Sequence, residues 1–383
     1  MGEPQKTRGD HIPTLDGLRG LALLMVVIHH SVFARPTVLW PNLAGRLYFT
    51  VAAMGWAGVD LFFVLSGFLI TGILLDSKEG PHYFRNFYVR RTLRIFPLYY
   101  GVLILIFGLG PLLLPPEAVA DDSSAWLWVY GTNIGQALKG GYLFPSRWFE
   151  INHFWSLAVE EQFYLVWPLV VYFLGRQGLR RACIGCMIGA ILLRFGLAIS
   201  GASHQAVFYL PLCRVDTLAA GAWLAIAVRS DGGVAALVRP ARWTALVAGG
   251  VLLCVVVGVF QGRSEWVTSL FMQTIGLSLL WAFFGAILAM VLPGGSPCLA
   301  TSLCRLSALQ WVSKYSYGAY VFHVLCYPIL LPLVIRNAGT DDVFQLTLLY
   351  LVAMSGFAIS LAWVSWNFFE QPILRLKHFF PMG

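Results

Sequence analysis

Arg19 and His30 form the first pair whose types and spacing point to chemistry. Eleven residues at about 100° each return to within roughly 20° of one helix face and rise about 16 Å. Arg19 then stands at the entrance of a stripe, with His30 deep along it. His29 falls about 80° off that face by the same arithmetic, so His30 is the preferred histidine. An imidazole in such a place can take a proton from a hydroxyl or carry a group covalently. The plain alternative is a buried histidine bonded to a neighbouring carbonyl.

Arginines come next. The stretch Arg85-Asn-Phe-Tyr-Val-Arg90-Arg91-Thr-Leu-Arg94-Ile-Phe-Pro97 puts Arg91 and Arg94 three residues apart, on one helix face. Guanidinium forks match phosphates and carboxylates; a simple basic anchor at the membrane surface is the competing reading. Glu160 and Glu161 follow Trp155-Ser156-Leu157-Ala158-Val159. Adjacent helix positions face different directions, so one carboxylate is expected to turn inward and the other to water. Asp60 precedes Leu61-Phe62-Phe63-Val64-Leu65-Ser66-Gly67, and His323 follows Ser316, Tyr317 and Tyr320. Arg214 and Asp216 interrupt an apolar stretch and are expected to stabilise each other. Ser66 is not in a G-x-S-x-G elbow, which argues against a serine hydrolase. Cys183 and Cys186 have C-x-x-C spacing inside an apolar run without a second pair. A zinc site takes about four ligands, so no metal is expected, and these cysteines read as small apolar side chains.

The elements that must position these residues are membrane helices. The chain has 383 residues, 58% hydrophobic and only 11% charged, against about 25% charged in a soluble domain. Its 14 Trp suit interfacial belts. Ionisable groups inside a bilayer are costly, so each is a functional candidate. A span takes about 20 mostly apolar residues. Ten stretches qualify: 18–34, 52–75, 95–114, 155–174, 182–200, 207–228, 243–260, 267–292, 317–335 and 343–366. The fold class expected is an all-α integral membrane protein of about ten transmembrane helices. Residues 115–154, with Pro115, Pro116, Asp121 and Asp122, read as a long outer loop with an interfacial helix.

With the N-terminus in the cytoplasm, the basic residues fall on the inner side except Arg35, Arg46, Lys139, Arg147, Arg194, Arg214, Arg263 and Arg336. That bias follows the positive-inside rule, and an even number of spans returns the C-terminus to the cytoplasm. The net charge of +8 reflects these inner loops; there is no basic stripe for nucleic acid. Asp10 and Asp16 precede the first apolar segment and two His interrupt it, a poor match to a signal peptide. The chain reads as one transmembrane unit, residues 1–383.

Together these segments resemble acyltransferase family 3 of membrane proteins. The matching pieces are Leu15-Asp16-Gly17-Leu18-Arg19-Gly20 running to His30, Gly58 to Phe68, Phe87 to Ile95, Phe154 to Pro168, Arg214-Val215-Asp216-Thr217-Leu218, Ser316 to His323, and Glu370-Gln371-Pro372. They occur in the family's order from residue 12 to about 375. The family's arginine–histidine pattern falls on Arg19 and His30, its R-x-x-R pattern on Arg91 and Arg94, and its glutamate on Glu160.

The resemblance implies an enzyme that moves an acyl group, acetyl first, from cytoplasmic acyl-CoA to a hydroxyl of a cell-envelope carbohydrate, glycolipid or similar acceptor. It implies catalytic roles for His30 and Glu160 and donor binding by Arg19, Arg91 and Arg94. Asp60, Arg214, Asp216, Tyr320 and His323 are further candidates. His30 is expected to act as general base or transient acyl carrier, and Glu160 to orient it or bind the acceptor. No cofactor is expected to be permanently bound, and acyl-CoA enters as donor substrate. The expected location is a bacterial inner membrane, in the standalone form without a fused esterase-like domain. A polytopic small-solute transporter is the rival class. Such carriers show paired, Gly- or Pro-broken segments in two halves, a symmetry not visible here.

Overall fold

The computed structural model describes residues 12–32, 43–113, 115, 122–144, 146, 148–259 and 268–381. The described residues form helices and connecting turns, with no strand among them. The helices labelled here are α1 (Pro13–Ser31), α2 (Gly58–Asp76), α3 (Tyr83–Leu103), α4 (Trp155–Phe173), α5 (Arg176–Ile199) and α6 (Pro211–Ala227). They continue with α7 (Gly233–Leu253), α8 (Leu277–Val291), α9 (Ser316–Phe322), α10 (Tyr327–Asn337) and α11 (Val343–Ser365).

Among the described residues, seven helical stretches are long and apolar enough to cross a membrane. An eighth is counted if α9 and α10, bent by 77° at the break between them, form one span. The two expected spans outside this set are α1 and α4. Each has 19 residues, about 28 Å of helix. Length is therefore not what they lack. Asp16, Arg19, His29 and His30 on α1, and Glu160, Glu161 and Gln162 on α4, lower their hydropathy. The two helices that read least like membrane spans carry His30 and Glu160.

Burial sorts the helices into inner and outer. The stretches holding α2 and α6 are each 72% buried, whereas α5 is only 17% buried and turns most of its surface outward. Glycines set the closest approaches. A Cβ on Gly67 of α2 would collide with the Leu218 carbonyl of α6, and one on Gly221 of α6 with the Val64 carbonyl of α2. Small residues on both faces let two backbones meet, as membrane helices often require. Gly17 and Gly20 of α1 likewise abut the backbone at Cys304 and Leu309, in the short helices Leu299–Cys304 and Ser307–Lys314.

Two buried ion pairs lock these crossings. Arg214 of α6 donates to Asp60 of α2 at 2.7 Å, and Arg194 of α5 donates to Asp216 of α6 at 2.7 Å. The expected pairing of Arg214 with Asp216 is therefore corrected. Two residues apart on a helix, their side chains point about 160° away from each other, so each takes its partner from a different neighbour.

The segment 115–154, expected as a long outer loop with an interfacial helix, is helical in much of its described part. Its described part folds into short helices, Ala125–Trp128 and Thr132–Lys139, with Thr132, Asn133 and Gln136 fully buried. Amide groups explain how polar residues can be enclosed there. Asn133 and Gln162 donate to each other, both at 3.0 Å, and Gln162 also donates to the Tyr130 carbonyl at 2.8 Å. Gln136 donates to the Asn152 carbonyl at 2.9 Å. The Asn133–Gln162 pair satisfies donor and acceptor sides of both amides, whereas Gln136 Oε1 and Thr132 Oγ1 are buried without a hydrogen-bond partner among the described residues.

The expected span 317–335 is a broken helix. Breaking it after Phe322 frees main-chain carbonyls, which must find donors in an apolar setting. Histidines supply them. His323 Nδ1 donates to the Tyr320 carbonyl at 2.6 Å, and His153 Nε2 to the Val321 carbonyl at 3.3 Å.

Candidate active site

A cavity of about 340 Å³ opens between α1, α2, α3, α4 and α9. Arg19, Arg91 and Arg94 all line it, with Glu160, Ser66, Ser156, Tyr164, Tyr317, Tyr320 and Lys377. Apolar side chains of α2, among them Phe62, Leu65 and Leu69, form one wall. The three expected donor-binding arginines thus meet in one place. Arg91 lies 5.6 Å from the Tyr164 ring and 5.9 Å from the Phe87 ring. Arg94 lies 5.3 Å from Trp366 and 6.0 Å from Tyr317. Aromatic faces hold guanidinium groups without consuming their N–H donors. Arg19 keeps a loose contact with Asp16 at 3.5 Å.

Glu160 turns toward this cavity, and Ser66 Oγ donates to its Oε1 at 2.5 Å. Glu161 does not turn to water as expected. Its Oε1 is buried without a hydrogen-bond partner, among Tyr99, Tyr100, Tyr130 and Tyr317. The turn between adjacent helix positions does separate the two carboxylates, but the second faces the tyrosine-rich interior.

His30 lies beyond the cavity wall. Tyr320 lines the cavity. The His323 ring is 5.3 Å from Tyr320, and the His30 ring is 4.8 Å from His323. Ser156 and Tyr320 share a hydrogen bond of 2.5 Å at this boundary. His153 packs 5.0 Å from His323, and His29 lies 5.1 Å from His30.

Carbonyl oxygens only accept, and that fixes the neutral tautomers. His323 faces the Tyr320 carbonyl with Nδ1, so Nδ1 carries the hydrogen and Nε2 the lone pair. His30 faces the Val26 carbonyl with Nδ1 at 2.9 Å, so this nitrogen is its N–H. The same N–H lies 3.3 Å from the His323 Nε2 lone pair. His30 Nε2 is then the basic atom, and among the described residues it has no hydrogen-bond partner. The bond to a neighbouring carbonyl is the one that the plain alternative expected, and it fixes the ring's orientation.

The remaining candidates form a separate network. Arg214 sits 4.9 Å from the Phe208 ring, 5.7 Å from Phe63 and 5.9 Å from Trp155. Phe63 also lines the cavity, so Asp60 and Arg214 support the wall from behind. Asp216 accepts from Arg194 and, at 3.0 Å, from Trp281 Nε1. Sequence reasoning missed Ser66, Ser156, His153, Arg194 and Lys377 as parts of these groups. Arg194, a charge inside an apolar run, carried a usable signal. His153 precedes its helix and had none. The seven cysteines are free thiols, and no group of three or more metal-ligating side chains occurs among the described residues.

A family model described as an acyltransferase domain, that of acyltransferase family 3, matches residues 12–367. The chain belongs to this family and is a multi-pass bacterial membrane protein. It is 26% identical over 382 residues to the peptidoglycan O-acetyltransferase OatA of Listeria monocytogenes, covering 95% of this chain and 56% of that protein. It is 27% identical to a Bacillus subtilis protein named provisionally as the peptidoglycan O-acetyltransferase YrhL, covering 95% and 55%. A Staphylococcus aureus protein, named provisionally as an O-acetyltransferase, is 33% identical over 227 residues, covering 56% and 34%. The chain spans about half the length of the first two relatives and a smaller share of the third. No solved structure matches it.

Proposed function

We propose that this chain transfers an acyl group, acetyl first, from cytoplasmic acyl-CoA to a hydroxyl of a cell-envelope carbohydrate. Peptidoglycan is the acceptor favoured by the names of the relatives. The observation that carries the reading is the cationic cavity of Arg19, Arg91 and Arg94 one aromatic ring away from the His323–His30 pair. Arginines suit the phosphates of the donor's nucleotide. The thioester end then points past Ser156 and Tyr320 toward His30.

At His30, Nε2 takes the acceptor's hydroxyl proton while the hydroxyl oxygen bonds to the acyl carbon. The carbon–sulfur bond breaks, and the departing thiolate receives that proton, leaving ester and coenzyme A thiol. His323 and the Val26 carbonyl hold the ring for this step. Glu160 makes no hydrogen bond to His30 among the described residues, so its role is on the cavity side, against substrate.

Thiol release from acetyl-CoA, measured on purified protein with peptidoglycan fragments as acceptor, tests this. Arg91→Ala and Arg94→Ala should each raise the KM for acetyl-CoA about 10- to 100-fold, the worth of a hydrogen bond to a charged group. A transporter would move substrate without releasing thiol. An unchanged KM in both variants would remove the donor from this cavity.

A further inference from the structure

The cavity holds a fourth cation, Lys377, and the way it arrives there gives Arg90 a task distinct from that of Arg91. Arg90 does not line the cavity. Its Nη1 donates to the main-chain carbonyls of Lys377 and Phe380, at 3.0 and 3.1 Å. One turn earlier on α3, Asn86 Nδ2 donates to the Pro381 carbonyl at 2.7 Å. Arg85 lies 5.8 Å from the Phe380 ring. Three residues of α3 therefore grip the segment from Arg375 to Pro381. With its backbone held, Lys377 sends its side chain into the cavity wall beside Arg19, Arg91 and Arg94. It also lies within electrostatic reach of Arg94, Arg91 and Arg90.

Among the lining residues, Glu160 is the sole acid against these four cations. Like charges repel more strongly when water is displaced, and a polyanion between them turns repulsion into attraction. The arginines offer planar forks; a lysine adds a compact, strongly hydrated charge on a flexible stem. We propose that the segment from Arg375 to Pro381 is a wall of the donor site. Lys377 binds a phosphate of the nucleotide-bearing donor, and Arg90 is a positioning residue that acts through it. This rests on the acyl-CoA reading above.

Calorimetric titration of coenzyme A into the purified full chain in lipid nanodiscs tests the proposal. The proteins compared are wild type, Lys377→Ala, Lys377→Arg, Arg90→Ala, Arg91→Ala and the Arg90→Ala/Lys377→Ala double variant. Lys377→Ala should bind about 10- to 100-fold more weakly than wild type. Lys377→Arg should recover most of the loss, and the salt dependence should be shallower in Lys377→Ala. Arg90→Ala should also weaken binding, with the double variant no weaker than Lys377→Ala alone, because the two act through one contact. Wild-type affinity in Lys377→Ala, alongside loss in Arg91→Ala, would overturn the role of Lys377 and leave the donor reading standing. Additive losses in the double variant would overturn the positioning role of Arg90. A folded wild type that does not bind coenzyme A would overturn the donor reading and this proposal together.

Discussion

His30 has one nitrogen committed to holding the ring and one without a hydrogen-bond partner among the described residues, and its neighbours make that division. The Val26 carbonyl and His323 take the Nδ1 hydrogen, at 2.9 and 3.3 Å. Replacing His323 with Phe would keep an aromatic ring and remove the acceptor. The expected result is a fall in kcat, by part of the roughly 10²–10⁴-fold that a general base supplies. The KM for acyl-CoA should hold, because the donor arginines are untouched. A rise in KM with unchanged kcat would show that His323 serves the donor instead. That Arg19 and His30 share one helix was legible in sequence, but the single stripe expected from their spacing was not found: Arg19 lines the cavity and His30 lies beyond its wall. The histidine pair was not legible, since His30 and His323 are 293 residues apart and meet only through a broken helix.

Crossings between helices, rather than individual helices, decide whether the cavity forms. At the α2–α6 crossing two backbones meet through Gly67 and Gly221, and Asp60 pairs with Arg214 beside them. Gly67→Ala or Gly221→Ala should force the helices apart and cost about 1–3 kcal/mol of stability. Thermal unfolding in detergent reads this out, and an unchanged midpoint in both would mean that the helices have room to move. Asp60→Asn leaves the Arg214 charge buried without its counter-charge, for an expected loss of about 3–5 kcal/mol. Replacing both partners with Leu and Met should recover part of that loss, whereas a double variant no better than Asp60→Asn would point to a role beyond neutralisation. Helix content was readable from apolar runs, but the partners of the buried charges were not. Arg214 and Asp216 are close in sequence and opposed in direction, and their true partners lie on α2 and α5.

Across the whole molecule, Arg19, Arg91 and Arg94 enter the cavity from the cytoplasmic halves of α1 and α3 if the N-terminus lies inside, as the distribution of Lys and Arg indicates, while Ser156 and Glu160 enter from the outer half of α4. A fluorescent protein that matures only in the cytoplasm, fused after residue 383, should then fluoresce; a dark fusion that remains intact would invert the C-terminal side. Hydropathy revealed the membrane class at once but leaves α1 and α4 outside the candidate spans, because their charged and polar residues lower it. The most direct test of the chemistry combines the donor, the transfer and His30. Isotope-labelled acetyl-CoA is supplied to wild type and His30→Ala in vesicles, with cell-envelope glycan as acceptor. Labelled glycan from wild type, and about 10²–10⁴-fold less from His30→Ala, is the expected result. Equal labelling by both proteins would contradict the central role given to His30.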